Sequence, residues 1–163
     1  MKTWKKVMIA IIALFLIIQL PFFTPKKNFT EEDTQTAMTD KYEVPMNIQM
    51  YFYASCFDCH SNYTQEYPWY YHIQPVSWWM DMHIKNAKKH LNFSEFANYS
   101  LKEASHKFHE LNEVMTDHSM PLGSYLWLHK DAKFTPQQYE KVAKWAKKMH
   151  EQLEAKIDSL DMD

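Results

Sequence analysis

Cys56-Phe57-Asp58-Cys59-His60 holds the only two cysteines of this 163-residue chain, three residues apart and followed at once by a histidine. On a helical turn, positions i, i+3 and i+4 share one face. The spacing therefore presents two thiols and one imidazole in the same direction. Two thiols so placed can add to the two vinyl groups of one porphyrin, and the adjacent imidazole can reach the iron beneath the ring. C-x-x-C-H in this order is the pattern of covalent haem c attachment. The expectation is one haem c per chain, bonded through Cys56 and Cys59, with His60 as the proximal iron ligand.

Three other readings of the cysteine pair stand beside this one. C-x-x-C alone also serves thiol–disulfide exchange, but that motif normally accompanies a βαβ pattern, and none is visible. Half of a zinc site is a second reading, yet a structural zinc site takes four ligands and there is no second cysteine pair. An incidental pair is the third.

The N-terminus bears on the compartment. Lys2, Lys5 and Lys6 precede a run from Val7 to Leu20 that is apolar except at Gln19, and Pro21, Phe22 and Phe23 extend it. A basic n-region before an apolar stretch is an export segment. No small-residue cleavage pattern follows, so residues 1–23 are expected to form an uncleaved signal anchor, a transmembrane helix with its lysines on the cytoplasmic side. That puts the remainder in the periplasm, on the outer face of the inner membrane. Exposed thiols oxidise there, and thioether formation removes that fate.

Residues 24–43 are polar and lack periodicity, which predicts a flexible linker. Fully extended it would reach about 65–70 Å. Residues 44–163 then form the haem-binding domain. A single glycine, Gly123, argues against hairpin-rich β folds. The fold class expected is all-α, a small cytochrome c-like domain of about four helices around one haem. Val44, Ile48, Phe52 and Ser55 mark a first helix leading into the pentad. Pro75 opens a second, carrying Trp78, Trp79, Met82 and Lys85. Ser100 with Glu103 forms a capping box for a third, through about Thr116. Thr135, Pro136 and Gln138 start a long last helix with Val142, Trp145, Ala146 and Met149 on its apolar stripe.

Of 18 lysines, five lie at or before Lys27, which leaves 13 against 20 acids beyond it and a formal charge of −7 there. That sign disfavours a nucleic-acid partner and suits a basic redox partner protein.

The sixth iron position takes a Met or a second His in most cytochromes c. Among 11 methionines, Met120 stands out because it lies in a loop, His118-Ser119-Met120-Pro121-Leu122-Gly123, with Pro121 stiffening the approach. A thioether favours the ferrous state. His118, then His83 and His72, are its rivals. Met46, Met50, Met80, Met82 and Met149 fall on helical faces and read as core. Trp78 and Trp79 are candidates to flank the haem or donate an indole N–H to a propionate, with core packing as the alternative. Tyr70 and Tyr71 carry the same two readings. His106 and His109, at i and i+3, permit a metal but suit a solvated helix face better.

The stretches Cys56-Phe57-Asp58-Cys59-His60-Ser61-Asn62, Pro68-Trp69-Tyr70, Ile73-Gln74-Pro75-Val76-Ser77-Trp78 and His90-Leu91-Asn92-Phe93-Ser94-Glu95-Phe96, then Met120-Pro121-Leu122 with Tyr125 and His129, resemble a small bacterial haem-binding domain family with a C-x-x-C-H motif, over roughly residues 44–146. The resemblance implies a membrane-tethered single-haem domain facing the periplasm, with Cys56 and Cys59 as covalent sites, His60 proximal and Met120 distal. It implies no particular reaction.

The function expected is a monohaem c-type cytochrome passing single electrons, without catalytic residues of its own. A haem enzyme or gas sensor with an open sixth site is the first alternative, and a haem-free thiol–disulfide module the second.

Overall fold

The computed structural model describes residues 2–29 and 37–162. Among these residues the architecture is all-α, with an isolated antiparallel bridge between Phe29 and Tyr63 and no strand. The eight α-helices are α1 (Thr3–Ile18), α2 (Met38–Lys41), α3 (Met46–Ser55), α4 (Phe57–His60), α5 (Val76–His90), α6 (Leu101–Thr116), α7 (Gly123–Leu126) and α8 (Pro136–Asp161), with four short 3-10 turns between them. The four helices expected in the haem domain are α3, α5, α6 and α8.

The most extensive packing is α6 against α8. Ala104, Phe108, Leu111 and Met115 on α6 are buried against Val142, Trp145, Ala146 and Met149 on α8. These positions repeat every three or four residues, which aligns them in one stripe. Capping sets both starts. The Ser100 side chain accepts from Glu103 N at 3.2 Å. Thr135 and Gln138 form the full reciprocal box ahead of Pro136. An aromatic cluster of Phe52, Phe93, Phe96, Phe108 and Trp145 then ties α3 and the segment after α5 to this pair.

Three expectations change. The N-terminal segment is not a spanning helix over residues 1–23. α1 ends at Ile18 after 16 residues, and a 3-10 turn, Pro21–Phe23, follows. Sixteen residues rise about 24 Å, short of a hydrocarbon core of about 30 Å. No helix among the described residues is long and apolar enough to cross a membrane. Pro21 is the physical reason, because it drives Leu20 into extended backbone (φ −63°, ψ 143°).

Residues 24–43 also hold more structure than a linker. Asn28 bonds Ser61 and Thr64, and Met38 and Tyr42 are buried in the core. Met38 N donates to Phe93 O at 3.0 Å. The polar run over residues 30–36 lies outside the described residues. Finally, Met46, Met50 and Met82 are largely exposed rather than core, and of the methionines expected inside only Met149 is buried.

Candidate functional site

The helix leading into the pentad breaks at Cys56, whose φ of −125° and ψ of −40° separate α3 from α4. Cys56 O then accepts from both Cys59 N (3.1 Å) and His60 N (2.9 Å), which closes the turn. Cys56, Cys59 and His60 all line one cavity of about 510 Å³. That volume is within the roughly 300–1,000 Å³ usual for cofactor pockets. The lining is mostly apolar.

His60 is oriented from behind. Its Nδ1 lies 3.0 Å from Leu91 O. A carbonyl only accepts, so Nδ1 carries the proton and Nε2 keeps its lone pair. Burial pushes the His60 pKa down, favouring this neutral form. The same backbone stretch is held again, since Phe93 N donates to His60 O at 2.8 Å. Burial raises both thiols, Cys56 to about 12 and Cys59 to about 11. Both cysteines are free of a disulfide.

Further lining comes from the loop after α6 and from α7. Met120, Pro121, Leu122 and Tyr125 all face the cavity. Met120 is partly buried against the core. Of the rival ligands, His83 lines the cavity. Its Nδ1 meets Trp79 O at 2.8 Å. His118 and His72 are not among the lining residues. His118, at φ 55°, stacks on Tyr139 at 4.1 Å, and His72 packs edge-on against Tyr71.

Trp78 and Trp79 do not line the cavity either. Trp78 donates its indole N–H to Phe23 O at 2.6 Å, and Trp79 packs on the His83 ring at 4.1 Å. Both are partly exposed at the start of α5, one turn short of the lining residues. Tyr71 is buried, and Tyr70 approaches His129 Nε2 at 3.3 Å. His106 and His109 sit on the exposed face of α6, each near a glutamate four residues on, and no group of three metal-ligating side chains occurs among the described residues.

Asn86, His90 and Lys107 also line the cavity; His90 opens the His90–Phe96 stretch of the family resemblance, but no motif marks Asn86 or Lys107. The signal for those two is spacing. His83, Asn86 and His90 fall at i, i+3 and i+7 on α5, and Lys107, Leu111 and Val114 at i, i+4 and i+7 on α6. Lys107 pairs with Glu110 at 2.9 Å.

Two thiols, an oriented imidazole and a thioether sulfur around one apolar cavity make a donor set that fits haem. Comparison with known proteins agrees with that chemistry, for the sequence model of the haem-binding domain matches residues 13–148. The chain belongs to the haem-binding domain family. No curated protein and no solved structure matches it. Membership in the haem-binding domain family makes haem the cofactor of this chain. The matched stretch begins inside α1 and includes the cavity and the first half of α8.

Proposed function

We propose that this haem-binding domain protein is a monohaem c-type cytochrome that carries single electrons. Cys56 and Cys59 each supply a thioether to one haem, His60 the proximal nitrogen and Met120 the distal sulfur. Bound haem iron would supply one-electron exchange between its ferric and ferrous states.

The observation that carries this reading is the His60 Nδ1 contact with Leu91 O at 3.0 Å, inside the cavity that also receives both thiols. It aims the free Nε2 and fixes the tautomer that a metal needs. The thiols add a second argument. A C-x-x-C oxidoreductase activates its nucleophile by lowering a thiol pKa, whereas burial here raises both. Met120, on the wall formed by the loop after α6, supplies a soft ligand that favours the ferrous state. The mostly apolar lining of the cavity disfavours the more highly charged ferric state and raises the potential in the same direction.

The location proposed is the outer face of the inner membrane, with the apolar α1 in contact with lipid. The acidic exposed part suits a basic redox partner protein.

Three measurements on the purified full-length protein test the reading. Acid–acetone extraction should leave the haem on the polypeptide, and its release would refute covalent attachment. The oxidised protein should show the near-infrared band of Met ligation. The reduced protein should bind carbon monoxide slowly and incompletely, while rapid full binding would favour a haem enzyme or gas sensor with an open sixth site.

A further inference from the structure

Residues 19–29 are stitched to the domain along their length. Gln19 Nε2 donates to Gln74 O at 3.2 Å, and Gln74 N donates back to Gln19 Oε1 at 2.9 Å. Trp78 Nε1 donates to Phe23 O, and Tyr71 Oη donates to Pro25 O at 3.4 Å. Asn28 N donates to Tyr67 Oη at 2.6 Å, and Lys88 Nζ donates to Asn28 Oδ1 at 2.6 Å. Bonds spaced along this segment fasten it to the domain from Gln19 to Asn28. The family match, beginning at residue 13, includes both the last six residues of α1 and this clasp.

The clasp brings one end of α1 to the start of α5. α1 is apolar from Val7 to Ile18 and exposed on all sides, so it has no face suited to water. Where it meets the domain, exposed apolar side chains gather. Leu20 and Phe22 belong to the α1 side, and Ile73, Trp78, Trp79 and Met82 to the domain side. Trp78 and Met82 are i and i+4 on α5 and share a face. Lys26 and Lys27 follow directly. Tryptophan beside an apolar helix end, with lysines next to it, is the composition of a membrane–water interface, where indoles sit at headgroup level and ammonium groups meet lipid phosphates.

We infer that the face made by Ile73, Trp78, Trp79 and Met82 lies in the headgroup region of a lipid bilayer, with α1 held in the lipid beneath it. This rests on the reading of α1 as lipid-embedded. It replaces a domain standing off on a tether with one seated on the membrane in a fixed orientation. Trp79 packs on His83, and His83 lines the haem cavity. One end of the cavity is thus about one helical turn, roughly 5.4 Å of rise, from the bilayer-facing residues. A partner exchanging electrons at that end would approach along the membrane surface.

The test uses the full-length haem-loaded protein in vesicles of phosphatidylcholine and phosphatidylglycerol. A photoreactive benzophenone residue is placed in turn at Phe15, Trp79, Met82 and Leu160, the last beside the Asp161–Lys102 ion pair at the start of α6. All four positions are exposed, so the fold tolerates the change. Lipid adducts are expected at Phe15, Trp79 and Met82 and not at Leu160. Adducts at Phe15 alone would overturn the seated domain and leave the lipid contact of α1 standing. No adduct at Phe15 would overturn both. Adducts from Trp79 and Met82 to a second copy of the chain in place of lipid would overturn the assignment of this face.

Discussion

Nδ1 of His60 donates to the carbonyl oxygen of Leu91, 31 residues further along the chain, at 3.0 Å. The bond ties the pentad to the end of α5, and Phe93, two residues on, completes the tie by donating its N–H to His60 O. The Phe93 ring is buried between Phe52 (4.8 Å) and Phe57 (5.0 Å). Phe93→Ala should therefore cost about 3–5 kcal/mol, the usual range for a fully buried Phe. It should also broaden the haem potential, because the backbone that aims His60 loses its support. Denaturant unfolding and redox titration measure the two effects. A loss under about 1 kcal/mol with a sharp unchanged potential would contradict this account.

Met120→Ala should leave haem covalently attached and open the sixth position. The near-infrared band should vanish, the potential should fall, and carbon monoxide should bind rapidly to the reduced protein. His118→Ala should leave all three unchanged, since its ring stacks on Tyr139 rather than lining the cavity. His83→Ala is the sharper control, because His83 does line it. Loss of the native spectrum in the His83 variant but not the Met120 variant would transfer the ligand role to His83.

Cys59→Ala should give a product with one thioether. The reduced absorption maximum of the denatured pyridine complex reads this directly, because one vinyl group remains conjugated, while mass after denaturation checks that the haem is still covalently held. Two thioethers in that variant would be chemically impossible under the proposed attachment, so finding them would refute it.

The pentad, the helix starts and the α6–α8 stripe are legible in the sequence because each is written in local spacing. Thr135, Pro136 and Gln138 act over three residues, and Phe108 or Val142 repeat at helical intervals. Contacts between distant segments are not legible in the same way. Leu91 offers only a backbone carbonyl to His60, and a backbone carbonyl has no residue type to recognise. Trp78 and Trp79 are candidates for the haem because aromatic residues suit a porphyrin, but composition cannot tell which end of α5 faces the cavity. The position along that helix does, placing His83, Asn86 and His90 on the wall and the tryptophans one turn before them. The expected spanning helix fails for a related reason. Hydropathy counts Pro21, Phe22 and Phe23 as one apolar run with Leu20, while proline geometry ends the helix ahead of them.

Two substitutions in the α6–α8 pair separate packing from capping. Phe108 is fully buried, with ring centroids 5.3 Å from Tyr42, 5.0 Å from Phe96 and 5.4 Å from Trp145. Phe108→Ala removes the centre of that cluster and leaves a cavity, at a cost of about 3–5 kcal/mol. Thr135 instead accepts one bond from Gln138 N at 3.3 Å at an exposed helix start. Thr135→Ala should cost only about 1 kcal/mol, because water replaces part of the lost cap. For a chain of this length each kcal/mol lowers Tm by roughly 2–4 °C. Thermal unfolding followed by far-ultraviolet circular dichroism should thus show a drop on the order of 10 °C for the Phe108 variant and a few degrees for the Thr135 variant. Equal drops would mean that the end of α8, rather than its buried stripe, limits the stability of the pair.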